Sequence, residues 1–152
     1  MAPPDVPEWK FPVAFHFNVI VDGEQISFNE VSGIDSSLET LSVMSGGDNS
    51  NCYSVPKSRK HGDLVLKRGV VRGSDSFFKW CKDTLSTPLS KGCIKPKSIT
   101  VSLLGAEGEA LATWNFKNAY PVDWSVGSLN AEKSEIAIET VKLKYYSMGI
   151  EV

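Results

Sequence analysis

The chain of 152 residues has little of what metal and nucleophile chemistry is made from, with only three cysteines (Cys52, Cys81, Cys93) and two histidines (His16, His61). An odd, widely spaced cysteine set with no CxxC pair argues against a disulfide framework and a zinc site, and reads as reduced thiols. Neither histidine stands in HxxxH ligand spacing, one falling in a predicted strand and the other in a basic segment. Cofactor and metal are therefore both expected to be none. Long apolar runs are missing too: no stretch approaches the roughly 18 residues of a membrane-crossing helix. The opening "MAPPDVPEWK" has prolines and acids where a secretory signal has a basic start and an apolar run, so the expectation is a chain made in the cytoplasm with no membrane segment. An excess of positive charge is also lacking. The formal net charge of -2 excludes binding nucleic acid through overall charge, which depends on neutralising many phosphates.

What is present is ordinary globular material, 41% hydrophobic and 22% charged, in a length that suits one domain spanning 1–152. Four of the eight prolines fall in residues 1–12, which predicts an extended N-terminal arm. From Val13 the pattern changes: Val13, Phe15, Phe17, Val19 and Val21 alternate with their neighbours, the period-two signature of a strand. "DGEQ" at 22–25 supplies a turn and "ISFNEV" a return strand. "SSLETLSVM" is strand-like. "SGGDNSN" at 45–51 favours turns and positive φ, and with Pro56 beyond it residues 44–62 read as a long loop or a splayed hairpin. "DLVLKRGVV" resumes strand propensity. "GSDSFFKWCKDTLS" predicts a helix over 74–86, with Ser74 or Asp75 as N-cap and Phe77, Trp80, Cys81, Thr84 and Leu85 on one face. "KSITVSLLG" and "ALATWNFKNAY" predict two strands, the second interrupted at Pro121. "SEIAIETVKLKYYSM" changes the parity of its apolar residues, which predicts an unusually long final strand with a bulge near Thr140. The fold class is mainly β, with seven or eight strands and one helix, joined mostly by hairpin-length turns.

Charge is segregated along this chain. "VPKSRKHGDLVLKRG", residues 55–69, carries Lys57, Arg59, Lys60, Lys67 and Arg68 against the single acid Asp63, a local +4 in a chain whose net charge is -2. Such a stretch suits a solvated loop or a self-assembly contact with an acidic neighbour. Nucleic-acid recognition would add exposed aromatics on a sheet, and only Tyr53 is near, so no specific nucleic-acid recognition is expected.

Catalytic constellations are absent from the pattern. Cys81 occupies a packing position, unlike a reactive thiolate in an electropositive, accessible setting. Glycosidase chemistry needs two carboxylates at a set separation, and nothing singles out a pair; Glu135 and Glu139 read as solvent-facing or interface charges on a strand. "SGGDNSN" lacks the Lys-Ser/Thr and the helix of a phosphate cradle. Trp114 and Trp124, on either side of Pro121, read as core or bulge packing.

The ordered set "PVAFHFNVIVDG", "FNEVSGID", "ET" before the glycine loop, "VPKSRKHGDLVLKRGV" followed by a short helix, "ITVSLLGAEGEALATWNFKNAYPVDW" and "EIAIETVKLKYY" resembles the tail tube protein family of contractile-tail phages and extracellular contractile injection systems. The resemblance covers nearly all of residues 11–148. It implies a fold of two packed antiparallel β-sheets, sandwich or barrel-like, with one flanking helix, and a non-enzymatic structural subunit whose hexameric rings stack into a rigid tube around a large β-barrel lumen. A sheath contracts around such a tube and drives it through a target envelope, conveying cargo, either a protein effector or DNA. It also implies partners: further copies of the chain, a sheath protein, baseplate or tube-initiator proteins, and luminal cargo. Within the family a baseplate-proximal initiator ring is the other role, and the particle is a phage tail or an extracellular injection device. In the family the long loop reaches the adjoining ring. Residues 44–62 hold that place here, which makes Lys57, Arg59 and Lys60 candidates to meet acids of a neighbour, with Gly46 and Gly47 letting the loop bend. Glu139, Lys142 and Lys144 are the candidate lumen or polar strand face. The competing reading is a small β-barrel ligand-binding module or enzyme, which would need an apolar pocket with a few convergent polar groups.

Overall fold

The structure is a computed structural model that describes residues 16–44, 46–47, 51–70, 75–88, 92, 94–133 and 136–151. The predicted N-terminal arm 1–12, Val13, Phe15, Ser74, Cys93 and Glu135 lie outside the described residues. In chain order the elements are β1 (His16–Val21), β2 (Glu24–Ile26), β3 (Glu30–Ser32), β4 (Ser37–Met44), β5 (Cys52–Lys60), β6 (Leu64–Gly69), α1 (Ser76–Ser86), β7 (Lys97–Leu104), β8 (Ala110–Val126), β9 (Ile138–Lys144) and β10 (Ser147–Glu151). Every strand pairing is antiparallel. The protein is mostly β, with antiparallel sheets and one helix among the described residues.

One unit holds β1, β2, β7, the first part of β8 and β10. Its β1–β2 hairpin closes through Asp22 and Gly23, both at positive φ (50° and 85°). Asp-Gly suits that two-residue turn because its twist matches that of the flanking strands. Val19, Val21, Ile26, Ile99, Val101 and Phe116 alternate onto one buried face. The other face carries Thr100 and Asn115, joined by a 3.0 Å hydrogen bond, and Ser102 beside Thr113 at 3.3 Å.

The other unit holds β3, β6, β9, the last part of β8, helix α1 and the β4–β5 pair. Leu64 and Leu66 on β6, with Val141 and Leu143 on β9, point to one buried face. Helix α1 contributes Phe77, Trp80, Cys81 and Thr84 to the interior, and Phe28 meets the Phe77 ring edge-on at 5.2 Å. Asp75 is the N-cap, its Oδ1 accepting the Phe78 N–H at 2.9 Å. That bond satisfies one of the orphan amides of the first turn. The helix stops at Ser86, two residues before Pro88, as the clash of a proline ring with the residue preceding it requires.

Two expectations are corrected. The longest strand is β8, 17 residues running straight through Pro121, whereas the final segment divides into β9 and β10 at Tyr145–Tyr146. A register shift between Pro121 and Asp123 absorbs the proline, which has no N–H to donate. No shift occurs at Thr140: β9 pairs with β6 continuously from Ile138 to Leu143. The inward parity of β9 is Glu139, Val141, Leu143, so the apparent break in apolar pattern is a buried carboxylate.

Candidate assembly interface

All the geometry that follows lies within the helix-bearing unit. Of the two expectations for 44–62, a long loop or a splayed hairpin, the hairpin holds: β4 and β5 pair from Ser37↔Lys60 to Met44↔Cys52 and form a two-stranded sheet of their own. Gly46 and Gly47 sit in the turn, Gly47 at φ +86° with open space around its missing Cβ. The register moves from Glu39↔Ser58 to Thr40↔Pro56, leaving Lys57 as the extra residue of a bulge. Pro56 is tolerated there because a bulged ribbon leaves some amides unpaired.

The hairpin is exposed along almost its whole length, only Glu39 being half-buried. Paired residues share a face. On one face the outer half of the hairpin carries Leu41 opposite Val55 and Val43 opposite Tyr53, exposed by 53%, 40%, 45% and 65%. The inner half of the same face is polar: Lys60 Nζ lies 3.2 Å from Glu39 Oε1, and Ser58 Oγ donates to Glu39 Oε2 at 2.9 Å. An isolated two-stranded ribbon is marginal in water, and four contiguous apolar side chains on it are a feature of surfaces that are covered in use.

The root of the hairpin is fixed by close contacts. Gly33, at φ +80°, lies so near the Asp63 carbonyl that a Cβ there would come within 2.0 Å of the oxygen. Asp35 Oδ1 accepts the Gly62 N–H at 2.5 Å, and the His61 ring stacks on Tyr145 at 4.0 Å between centroids. Burial, with the charges of Asp35 and Asp63, holds the Tyr145 hydroxyl above its ordinary pKa.

The basic stretch is thus redistributed. Arg68 is buried, Lys67 pairs with Glu30 at 3.4 Å, and Lys60 is engaged by Glu39 of its own hairpin. Lys57 and Arg59 are exposed on β5 with no ion pair recorded among the described residues. The polar strand face is also revised. Lys142 and Lys144 are exposed on β9, Lys144 bonding Asp63 at 3.1 Å, but Glu139 is 3% exposed and points the other way. Arg68 Nε donates to Glu139 Oε1, Arg68 Nη2 to Asp75 Oδ1 at 3.1 Å, and Trp124 Nε1 to Glu139 Oε2 at 3.2 Å. The guanidinium also faces the Phe77 and Phe28 rings at 5.1 and 5.6 Å. A buried charge survives only when paired and hydrogen-bonded, and this one is held on both sides. Burial opposes the Arg68 charge while Asp75 and Glu139 favour it, with a net upward shift; the Arg68 hydrogen bond holds the Asp75 carboxyl below its usual range.

A groove of about 350 Å³ opens above this network, lined by Val70, Phe78, Trp124, Val126 and Leu129, with Arg68 and Glu139 at its base. Those charged groups are committed to one another and to Asp75 and Trp124, so the groove lacks the free convergent donors of a ligand site. No group of three or more His, Cys, Asp or Glu suited to a metal occurs among the described residues, and no helix among them is long and apolar enough to cross a membrane.

Residues 13–149 match the family model of the T4-like virus tail tube protein gp19. The chain belongs to this family. It is a structural tube protein of the kind found in phage tails and extracellular contractile injection particles. A chain of the PVC sheath–tube complex of an extracellular contractile injection system, in its extended state, is 32% identical at a TM-score of 0.80, covering 95% of this protein and 93% of that chain. A chain of the PVC sheath/tube terminator structure is 31% identical at a TM-score of 0.82, covering 97% and 100%. The tube-terminating cap of the anti-feeding prophage supplies another, 26% identical at a TM-score of 0.83, covering 97% and 95%. Hcp1 from Flavobacterium johnsoniae, 17% identical at a TM-score of 0.59 with 90% and 94% covered, shares the fold. No curated protein sequence matches the chain.

The Arg68 network is committed within the fold, while the hairpin is exposed and pairs only with itself among the described residues. Sequence reasoning singled out Lys57, Arg59 and Lys60 on this hairpin and did not single out the exposed apolar row of Leu41, Val43, Tyr53 and Val55. The signal was present: Leu41, Val43, Tyr53 and Val55 alternate at period two on each side of the glycine turn, a pattern that shows only when the two arms are set in register as a hairpin.

Proposed function

We propose that the protein is the inner-tube subunit of a contractile injection machine, closing into hexameric rings that stack into a hollow tube, which a contracting sheath drives through a target envelope with its cargo. The main tube subunit is favoured over a baseplate-proximal initiator by the 32% identity to a chain of a sheath–tube complex. Its role is mechanical, without catalysis.

The observation that carries the proposal is the free β4–β5 hairpin with its outer apolar face. That face accounts for how a subunit could hold the next ring: burying Leu41, Val43, Tyr53 and Val55 against a second copy supplies affinity through apolar area, and Lys57 and Arg59 set register through charge. A heterologous contact repeated along an axis makes an open stack. Open sheet edges, such as the short β3, are the natural points for neighbouring copies to join.

The test compares two variants of the purified chain by pelleting of assembled particles. Leu41→Ser with Tyr53→Ser abolishes stacking while the subunit stays folded, and Lys57→Glu with Arg59→Glu and Lys60→Glu weakens it in a salt-dependent way. Normal tubes from the Leu41/Tyr53 variant would refute the assignment of the hairpin.

A further inference from the structure

The exposed face of the β3–β6–β9–β8 sheet is charge-balanced row by row. Its opposite face carries the buried side chains of the unit, including Leu64, Leu66, Val141 and Leu143. On the exposed face Glu30 pairs with Lys67 across β3 and β6 at 3.4 Å. Lys142 on β9 stands in register with Asp123 on β8. Asp63, leading into β6, bonds Lys144 on β9 at 3.1 Å. Each of the three lysines of this face therefore has a carboxylate in its own cross-strand row, and the spaces between are filled by Ser32, Val65, Thr140 and Ser125.

Neighbouring strands lie about 4.8 Å apart, which is less than the Debye length of about 8 Å at physiological salt. Opposite charges at that spacing cancel beyond the first layer of water. A uniformly basic wall would retain a polyanion by counterion release, and a uniformly acidic one would hold a polycation; this surface does neither. Short-range contacts of both signs remain available and are individually weak, since exposed ion pairs contribute roughly 0–1 kcal/mol.

We infer that this face is the wall past which cargo moves, and that it admits polypeptide cargo without regard to net charge, acting as a non-adhesive lining with no electrostatic hold on cargo. The inference rests on the tube reading above. Glu139 has no part in the wall, being on the buried side of β9; Lys142 and Lys144 belong to it as halves of neutral pairs.

The experiment uses tubes assembled from the full chain, incubated at low salt with a short fluorescent oligonucleotide or a fluorescent oligolysine peptide and then pelleted. Unaltered tubes retain neither probe above the other. Tubes of Glu30→Gln with Asp63→Asn and Asp123→Asn retain the oligonucleotide at least about tenfold better, an excess lost in high salt. Tubes of Lys67→Gln with Lys142→Gln and Lys144→Gln do the same for oligolysine. The single substitution Lys142→Gln, at an exposed position, gives a smaller shift in the same direction if a triple variant folds poorly. Unaltered tubes that enrich the oligonucleotide as strongly as the carboxylate-stripped variant would overturn the inference and point to nucleic-acid cargo; altered tubes that bind like unaltered ones would also overturn it, because the face is then not the wall. Failure of the unaltered chain to form any tube even when a preformed baseplate or seed ring is added would overturn the tube reading itself, and this inference with it.

Discussion

Arg68 and Glu139, separated by 71 residues of sequence, meet side by side in the interior, 4% and 3% exposed, and Asp75 and Trp124 complete their hydrogen bonding. This contact ties β6 to β9 and, through the Asp75 cap, to the start of α1. It is the point where the helix is locked to the sheet.

Removing one partner leaves the other charged and buried. Glu139→Ala is expected to destabilise the protein by about 1–3 kcal/mol, because Arg68 keeps Asp75 but loses its second carboxylate and the Trp124 N–H loses its acceptor. Replacing both, Arg68→Met with Glu139→Leu, recovers most of that loss. Urea denaturation of the three proteins checks it, and a double variant no more stable than Glu139→Ala would refute the account.

The same network sets an acid limit. The Arg68 hydrogen bond holds the Asp75 pKa below its ordinary value of 3.8, so the folded state binds the Asp75 proton less tightly than the unfolded chain does. The stabilisation is present above pH 3.8 and is lost as pH falls through the lower folded pKa. Melts of the parent protein and Asp75→Asn as a function of pH should differ most near neutrality and converge toward acid; a difference that does not shrink with falling pH contradicts this.

Gly33 and Gly47 have nearly the same φ but different surroundings. Gly33→Ala combines left-handed strain, about 1–3 kcal/mol, with a clash against the Asp63 carbonyl, and should loosen the root of the hairpin. Gly47→Ala meets nothing within 4 Å and should show the strain alone. Thermal melts of both variants, with hydrogen exchange across β4 and β5, read the difference.

How far the fold was legible depends on which force decided each element. The β1–β2 turn was readable because Asp22-Gly23 and the alternation up to Val21 are local signals, but the return strand is Glu24–Ile26 and not the expected "ISFNEV", whose Glu30 and Val31 belong to β3 and pair with β6. Helix α1 was readable because Asp75 and the apolar spacing of Phe77, Trp80, Cys81 and Thr84 agree. The course of β8 was not, since Pro121 argues locally for an end and only pairing with β9, with its register shift, carries the strand through. Glu139 and Arg68 were read as surface charges because no pattern within a strand reveals a partner 71 residues away. Family membership was legible in the order of the motifs, while the apolar face of the hairpin emerged only once β4 and β5 were seen in register.

The central claim, that the chain is a self-assembling tube subunit, is tested most directly by negative-stain electron microscopy of the purified full chain at high concentration, with mass measured in solution alongside. Six-fold rings or stacked tubes are the predicted result. A strictly monomeric particle that stays monomeric when a preformed baseplate or seed ring is added would contradict the account.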